Sequence, residues 1–290
     1  MVEYILGNYL AESGKITREQ LKMVMEKQDS VRVKLGLIAV SEGMMTLEEA
    51  ERVNRLQAIE DKRFGDIAIE KGYLTRLQLD KLLKKQGSAY LIFVQTLVNE
   101  GLVALDELDW LLNDFRQENG YSFSELEDIK SDEADRIVPL LLPEGGKQFT
   151  ELVCTVVRVM IRLIDRHIYI GKAAMVEEFP TSDSAIQILK WEQGLADSFS
   201  ERDGALLNVC SVFGREKFER LDIDALDAAG ELLNCVNGLY VSGLSREGEF
   251  LELMPPVYNE CRERINKSAI CRIPVFVGDK GLYFTVAELA

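Results

Sequence analysis

Three polar side chains share one edge of a predicted helix in the C-terminal half of the chain. Asp227, Glu231 and Asn234 fall within roughly 60° of one another when the segment is drawn at about 100° per residue. A carboxylate can pair with a cation, and a carboxamide can accept a hydrogen bond from water while it donates to an anionic oxygen. These residue types could therefore orient a water molecule against an electrophile or contact a partner protein.

Two glycines border this polar edge. Gly230 and Gly238 each cost about 1 kcal/mol relative to Ala inside a helix, so their presence needs a reason. We interpret them as clearing space around Glu231 and Asn234, so that another backbone or side chain can close on the edge. A solvated helix face is the alternative interpretation. Apolar residues occupy the opposite side of the helix: Leu226, Ala229, Leu232, Leu233, Val236 and Leu239.

Helices and strands must surround this segment to position it. Helical spacing predicts a long helix over 149–165 and further helices over 186–198 and 206–218. Strand patterns occupy 167–170, 173–176, 250–253, 270–277 and 282–286, with a hairpin turn expected at 279–281. Because the strands are grouped late in the chain and do not alternate strictly with helices, the predicted fold class is α+β.

The sequence around the polar edge resembles a known signature. Asp-Ala-x-Gly-Glu-Leu-x-Asn, with Asp227, Glu231 and Asn234 at its polar positions, is similar to the motif of the CheC/CheX/FliY chemotaxis phosphatases. That motif is followed further along the chain by a Pro, and Pro255 follows here. A single copy of the motif is similar to the CheX branch, which implies a CheX-like α/β domain over 145–290 with long helices packed on a mainly antiparallel sheet.

The resemblance implies hydrolysis of the aspartyl phosphate on a CheY-like receiver domain that supplies its own Mg²⁺. An acyl phosphate is already activated, so a helper protein mainly needs to place a water molecule in line. The family assignment implies that Asn234 orients this water and that Glu231 pairs with the receiver's Lys, with Asp227, Gly230 and Gly238 at the partner contact. It also suggests a homodimer. The alternative is an inactive scaffold that binds the receiver.

The N-terminal third repeats with a period of 29 residues. Each unit is predicted as a short helix that ends near a glycine, a Thr that caps the next helix, and a longer helix. One unit cannot bury its apolar stripe alone, so stacked units must share a core, and we predict an all-α domain over 1–118. An acidic linker is predicted over 119–144. The aligned positions include Gly14, Gly43, Gly72 and Gly101, and also Thr17, Thr46 and Thr75.

These repeats resemble the N-terminal domain of MshE-type ATPases of type II secretion and pilus systems, in which the units bind cyclic di-GMP. The resemblance implies a nucleotide site in this chain. A helical packing or docking module that binds no nucleotide is the alternative. The residues that match the family's binding motif are Arg63, Gly65, Gly72 and Gln86 in the third repeat, with Lys34 and Gly36 in the second.

The acidic composition excludes some classes of partner. The 290-residue chain has a formal net charge of −15, whereas a nucleic-acid backbone or an anionic membrane attracts clustered Lys and Arg. Five cysteines, with no Cys-x-x-Cys pair, are interpreted as buried thiols of a reducing compartment. With no signal peptide evident, we expect a cytoplasmic protein without membrane insertion. Neither a protein-bound metal nor a cofactor other than cyclic di-GMP is predicted.

Overall fold

The computed structural model describes residues 1–28, 31–60, 62–190, 194–246, 251–261 and 263–290. The chain divides into two compact units, Val2–Asp132 and Glu133–Ala290. The sequence places an acidic linker over 119–144, but most of this segment is helical in the structure. Leu126 and Ile129 are buried within the first unit, and Ile137 is buried within the second. The acidic composition of this segment predicts a linker, whereas its apolar residues belong to the cores of the two units.

The first unit is all-α, as the sequence predicts. The predicted pairing of a shorter helix with a longer one is found from the third helix to the eighth, but the first helix, with 11 residues, is longer than the second, with 10. A 3-10 turn at Leu105–Glu107 precedes the eighth helix. The helices are α1 (Val2–Glu12), α2 (Arg18–Lys27), α3 (Leu35–Ser41), α4 (Leu47–Glu60), α5 (Phe64–Glu70), α6 (Arg76–Lys85), α7 (Ala89–Asn99), α8 (Leu108–Asn119) and α9 (Phe123–Ser131).

Glycine and threonine set the ends of these helices. Gly14, Gly43, Gly72 and Gly101 follow α1, α3, α5 and α7, and all four have φ between +63° and +74°. This left-handed conformation costs a non-glycine residue about 1–2 kcal/mol, which explains why glycine recurs there. At the start of α6, the Thr75 hydroxyl accepts a hydrogen bond from a backbone N–H to form a capping box.

The second unit places helices on an antiparallel sheet, which confirms the predicted α+β class. The helices are α10 (Ala134–Leu141), α11 (Thr150–Leu163), α12 (Ala205–Gly214) and α13 (Ile223–Arg246). The strands are β1 (Tyr169–Ile170), β2 (Ala174–Met175), β3 (Ser184–Lys190), β4 (Leu195–Glu201), β5 (Glu252–Leu253), β6 (Val257–Tyr258), β7 (Ile265–Val277) and β8 (Lys280–Leu289). The strand order is β1-β7-β8-β4-β3-β5, with β2 also paired to β7 and β6 to β3.

One predicted helix is wrong. Of the segment 186–198, predicted as a helix, 186–190 belong to β3 and 195–198 to β4, an antiparallel pair in which Gln187 lies opposite Asp197. Residues 191–193 of the predicted helix lie outside the described residues. Positions 184–189 of β3 are all buried, so both faces of the strand are covered. A strand buried on both faces loses the alternation that identifies a strand, and its apolar run cannot be distinguished from a helix by periodicity.

Smaller features differ from the expectations in detail. The hairpin turn lies at Gly278 and Asp279, one residue before the predicted position, and Gly278 has φ of +62°. Cys235 is exposed rather than buried, whereas Cys154 is buried. Phe250, in the predicted strand 250–253, lies outside the described residues. Within the described part of the chain, no helix combines the length and apolar character needed to cross a membrane.

The glycines that end the short helices give a direct test of backbone strain. Gly72→Ala is expected to lower the free energy of unfolding of the first unit by about 1–2 kcal/mol, because Gly72 has φ of +74°. Gly87→Ala is the matched control, since an added Cβ meets nothing within 4 Å at either glycine and Gly87 does not have a positive φ. Urea unfolding followed by circular dichroism measures both. Equal effects of the two substitutions would contradict the strain argument.

Candidate functional site

The polar edge lies on α13, the helix that contains the candidate residues. Asp222 starts this helix, since its Oδ1 accepts from the Ala225 N–H at 3.3 Å. Asp227 and Glu231 are exposed, whereas Asn234 is partly buried. Most of the predicted apolar face is buried against the sheet and the neighbouring helices, with Leu239 47% exposed as the exception. Helical periodicity therefore separated the core face from the polar edge correctly along most of the segment.

A shallow cleft opens beside the two exposed carboxylates. Its volume is about 430 Å³, and it lies between the end of α12 and the first turns of α13. Aromatic rings and acidic groups both contribute to its wall, so the cleft offers apolar contact next to a negative field. The lining residues are Phe213, Gly214, Glu216, Phe218, Asp224, Asp227, Ala228 and Glu231.

Asp227 also has a structural partner. Its Oδ1 accepts a hydrogen bond of 2.7 Å from the Tyr258 hydroxyl on β6. Burial raises the pKa of Tyr258, and the hydrogen bond to Asp227 and the negative charges of Asp227 and Glu231 raise it further. The tyrosine therefore stays protonated and remains a donor. Asp227 thus connects α13 to the segment that follows it.

The two glycines of α13 play different roles. Gly230 is buried, and an added Cβ would lie 2.9 Å from Pro256 Cβ and 3.1 Å from the Tyr258 ring. It therefore permits close approach of the segment that contains β6, which differs from the expectation that it clears the polar edge. Gly238 has open space around it, since an added Cβ there would meet nothing within 4 Å.

Asn234 belongs to a chain of buried amides. Gln187 Nε2 donates to Asn234 Oδ1 and, at 2.9 Å, to the Met254 carbonyl oxygen. Asn237 Nδ2 donates to Gln187 Oε1 at 2.8 Å and to Asp197 Oδ1 at 3.1 Å. The network therefore runs from the centre of the sheet to the candidate site.

Sequence reasoning missed three members of this network. Gln187 and Asp197 fall in the segment that was predicted as a helix, and their pairing required the β3–β4 register. Asn237 offered a signal, because it lies three residues after Asn234, and the structure buries it completely. A fully buried carboxamide needs hydrogen-bond partners.

The pKa of Asp197, a buried acid of the second unit, is strongly perturbed. Burial raises its pKa to about 8, although the hydrogen bond from Asn237 acts in the opposite direction. Asp197 Oδ2 and Asn237 Oδ1 have no hydrogen-bond partner among the described residues. A protonated carboxyl group would carry an O–H donor that a carboxylate lacks. No group of three His, Cys, Asp or Glu side chains within the described ranges could hold a metal ion.

The nucleotide candidates of the first unit are partly covered. An added Cβ on Gly36 would lie 3.1 Å from the Phe64 ring, and one on Gly65 would lie 2.6 Å from Leu79. These two glycines permit close packing of side chains from the following repeat or helix. Gly72 lies at the opposite end of α5 from Gly65, with a left-handed backbone.

The polar candidates lie at helix starts. Lys34 and Arg63 occupy the residues just before α3 and α5, and both are exposed. Gln86 Nε2 donates to the Val33 carbonyl oxygen at 3.0 Å, so this amide joins two repeats. Lys34 and Gly36 also line a cleft of about 410 Å³. Cyclic di-GMP binding by this surface stays a prediction, which nucleotide titration tests.

Comparison with known proteins gives structural neighbours only. No protein-family model matches the chain, and no curated protein matches it. The structural neighbours are CheX-like and CheC-like proteins. The chemotaxis protein CheX from Vibrio vulnificus is 15% identical, with a TM-score of 0.38, over 48% of this chain and 96% of that one.

Two further solved structures show the same level of likeness. A CheX-CheY-BeF3-Mg²⁺ complex from Borrelia burgdorferi is 17% identical, with a TM-score of 0.39, over 48% of this chain and 95% of that one. A CheC-like superfamily protein from Shewanella sp. PV-4 is 15% identical, with a TM-score of 0.39, over 50% of this chain and 98% of that one.

The two glycines of α13 should respond oppositely to the same substitution. Gly238→Ala is expected to raise the free energy of unfolding by about 1 kcal/mol, because Ala is the better helix former and the site is open. Gly230→Ala is expected to lower it, since overpacking costs about 1–3 kcal/mol and exceeds that gain. Urea unfolding measures both. Stabilisation by both substitutions would contradict the close-packing role of Gly230.

The buried acid predicts a pH dependence of stability. Because the pKa of folded Asp197 is raised to about 8, the folded protein keeps a proton that the unfolded chain loses above about pH 4. The stability contribution of Asp197 is therefore complete below about pH 4 and is lost as the pH rises towards about 8.

Asp197→Asn removes this titration. Its free energy of unfolding is expected to fall less than that of the wild type between about pH 5 and about pH 8, because the wild type loses the stability contribution of Asp197 over that range. Asp224→Asn, an exposed acid on α13, is the matched control and should follow the wild type. Parallel pH profiles for all three proteins, from urea unfolding, would show that Asp197 is ionised in the fold.

Proposed function

We propose that the second unit is a phosphatase for the aspartyl phosphate of a CheY-like receiver domain in chemotaxis or another two-component circuit of the cytoplasm. One observation carries the proposal. Glu231 and Asn234 lie one turn apart on the accessible edge of α13, within the motif that resembles the CheC/CheX/FliY signature. The second unit thus offers a carboxylate and a carboxamide on one rigid helix.

The residue types fit a reaction that needs positioning more than strong acid–base catalysis. An aspartyl phosphate is activated, and the receiver contributes its own Mg²⁺ to the phosphoryl group. A neutral amide can hold a water molecule in line and contact a phosphoryl oxygen, as a Gln does in GTP hydrolysis. We assign this role to Asn234. Orientation of water by a fixed group removes part of the entropic barrier to attack.

Glu231 is assigned to the receiver rather than to the water. Its carboxylate is exposed beside a cleft that Asp224, Asp227 and Glu216 also line. A cluster of acidic groups attracts a cationic side chain, and the receiver's active-site Lys is such a group. The Phe213 ring in the same cleft supplies apolar contact for the partner surface.

The activity is tested by the decay of a phosphorylated CheY-like receiver. Wild-type protein is expected to accelerate the decay, and Glu231→Ala and Asn234→Ala are each expected to lower that acceleration by about 10²-fold or more. The matched controls are Glu177→Ala and Asn208→Ala, which remove an exposed carboxylate and an exposed amide elsewhere in the second unit. Both controls should retain the wild-type rate.

The same assay separates the enzyme from a scaffold. If the wild type binds several phosphorylated receivers without accelerating their decay, the phosphatase proposal is wrong and the unit is a receiver-binding scaffold. If the four variants lose equal fractions of the rate, the reaction does not depend on this edge of α13. Circular dichroism of each variant shows whether the fold is retained.

A further inference from the structure

We propose that Gln187 is a positioning residue that fixes the Asn234 carboxamide with its NH₂ group facing the site. The inference rests on the proposed function for its catalytic consequence. The orientation itself rests on hydrogen bonds among buried groups of the second unit. The motif that resembles the CheC/CheX/FliY signature does not include this glutamine, which lies 47 residues before Asn234 in the sequence.

A backbone carbonyl sets the direction of the whole amide chain. The Met254 carbonyl oxygen can only accept, so the Gln187 group that faces it at 2.9 Å must be the NH₂ group. The same NH₂ group reaches the Asn234 side chain, which must therefore present its oxygen. An Asn234 turned by 180° would place two donors against each other.

The hydrogen bonds deeper in the sheet, between Gln187, Asn237 and Asp197, are consistent with this direction. With its NH₂ group turned towards Met254, Gln187 presents Oε1 on the other side, where Asn237 Nδ2 donates to it at 2.8 Å. Asn237 Nδ2 also donates to Asp197 Oδ1 at 3.1 Å. Every amide in this network thus has one permitted orientation, set by the Met254 carbonyl oxygen, which can only accept.

The burial of these groups argues for a role beyond stability. Gln187, Asn237 and Asp197 are each 0% exposed. Burying an amide is costly unless it is hydrogen-bonded, and replacing a whole polar set with apolar groups of similar shape can be neutral. This hydrogen-bond network instead continues from the sheet to Asn234, and it gives the Asn234 side chain a unique orientation.

The consequence for the site is a fixed donor. Asn234 Oδ1 already accepts from Gln187, and no hydrogen bond from Asn234 Nδ2 is found within the described ranges. Both N–H groups remain for the oxygens of a phosphoryl group, and one lone pair of Oδ1 remains for water. A donor that is held in place before the substrate arrives stabilises developing negative charge without reorganisation.

The primary test compares Gln187→Met in two backgrounds. In wild-type protein, Gln187→Met is expected to lower kcat for receiver dephosphorylation by about 10-fold or more, with little change in KM, because Asn234 loses its fixed orientation. In the Asn234→Ala background it should have no further effect. Equal losses in both backgrounds, or a raised KM with unchanged kcat, would overturn the proposal.

Thr285→Val is the matched control for a substitution in the core. Thr285 is also 0% exposed and lies on β8, and its hydroxyl has no partner among the described residues. This control should leave kcat at the wild-type value. If it lowers kcat as much as Gln187→Met does, the loss reflects general disturbance of the core rather than the orientation of Asn234.

A second measurement does not depend on activity. The side-chain ¹⁵N order parameter of Asn234, identified by its loss in Asn234→Ala, is expected to be high in the wild type and to fall below about 0.6 in Gln187→Met. An unchanged order parameter would overturn the positioning role. If the wild type shows no phosphatase activity but the order parameter falls, the proposed function is wrong and the positioning of Asn234 stands.

Asn234→Asp covers the case in which Gln187→Met does not fold. It keeps an oxygen acceptor for Gln187 and replaces the outward NH₂ donor with a carboxylate oxygen, which cannot donate and adds negative charge, at a partly exposed position. It is expected to lower kcat about as much as Asn234→Ala does. Full activity of Asn234→Asp would show that the outward donor is dispensable and would overturn the proposal.

Discussion

The close contact between α13 and the segment that contains β5 and β6 is the constraint on which the candidate site depends. It is possible because residue 230 has no side chain, so that Pro256 and Tyr258 approach the helix backbone. The same segment supplies the Tyr258 hydroxyl to Asp227 and the Met254 carbonyl to Gln187. One packing contact therefore positions both the edge of the helix and the buried amides behind it.

The buried polar side chains of the second unit lower its stability relative to an apolar core, whereas we propose that they fix the orientation of Asn234. A sheet core made only of apolar side chains would avoid the desolvation of Gln187, Asn237 and Asp197, and the raised pKa of Asp197 shows that burial disfavours its charge. Hydrogen bonds offset this cost only where both partners are satisfied. The polar chain is satisfied along the part that faces Asn234, and its unpaired atoms lie at the inner end.

Sequence analysis predicted parts of the structure that depend on local periodicity. The polar edge of α13, the glycines that end helices of the first unit and the last two strands, β7 and β8, were visible in spacing and composition. The hydrogen bond from Gln187 to Asn234 behind this edge could not be predicted, because only the folded structure brings these two residues together. The β3–β4 register and the close packing at Gly230 are tertiary facts. A strand that is buried on both faces carries no periodic signal that separates it from a helix.

The glycines of this protein have different structural roles. At Gly72 the backbone requires positive φ, whereas at Gly65 and Gly230 a neighbouring side chain occupies the space that a Cβ would need. Gly238 meets neither demand. Because a helical glycine costs about 1 kcal/mol relative to Ala, packing and backbone conformation leave Gly238 unexplained, and its place in a partner contact stays a prediction.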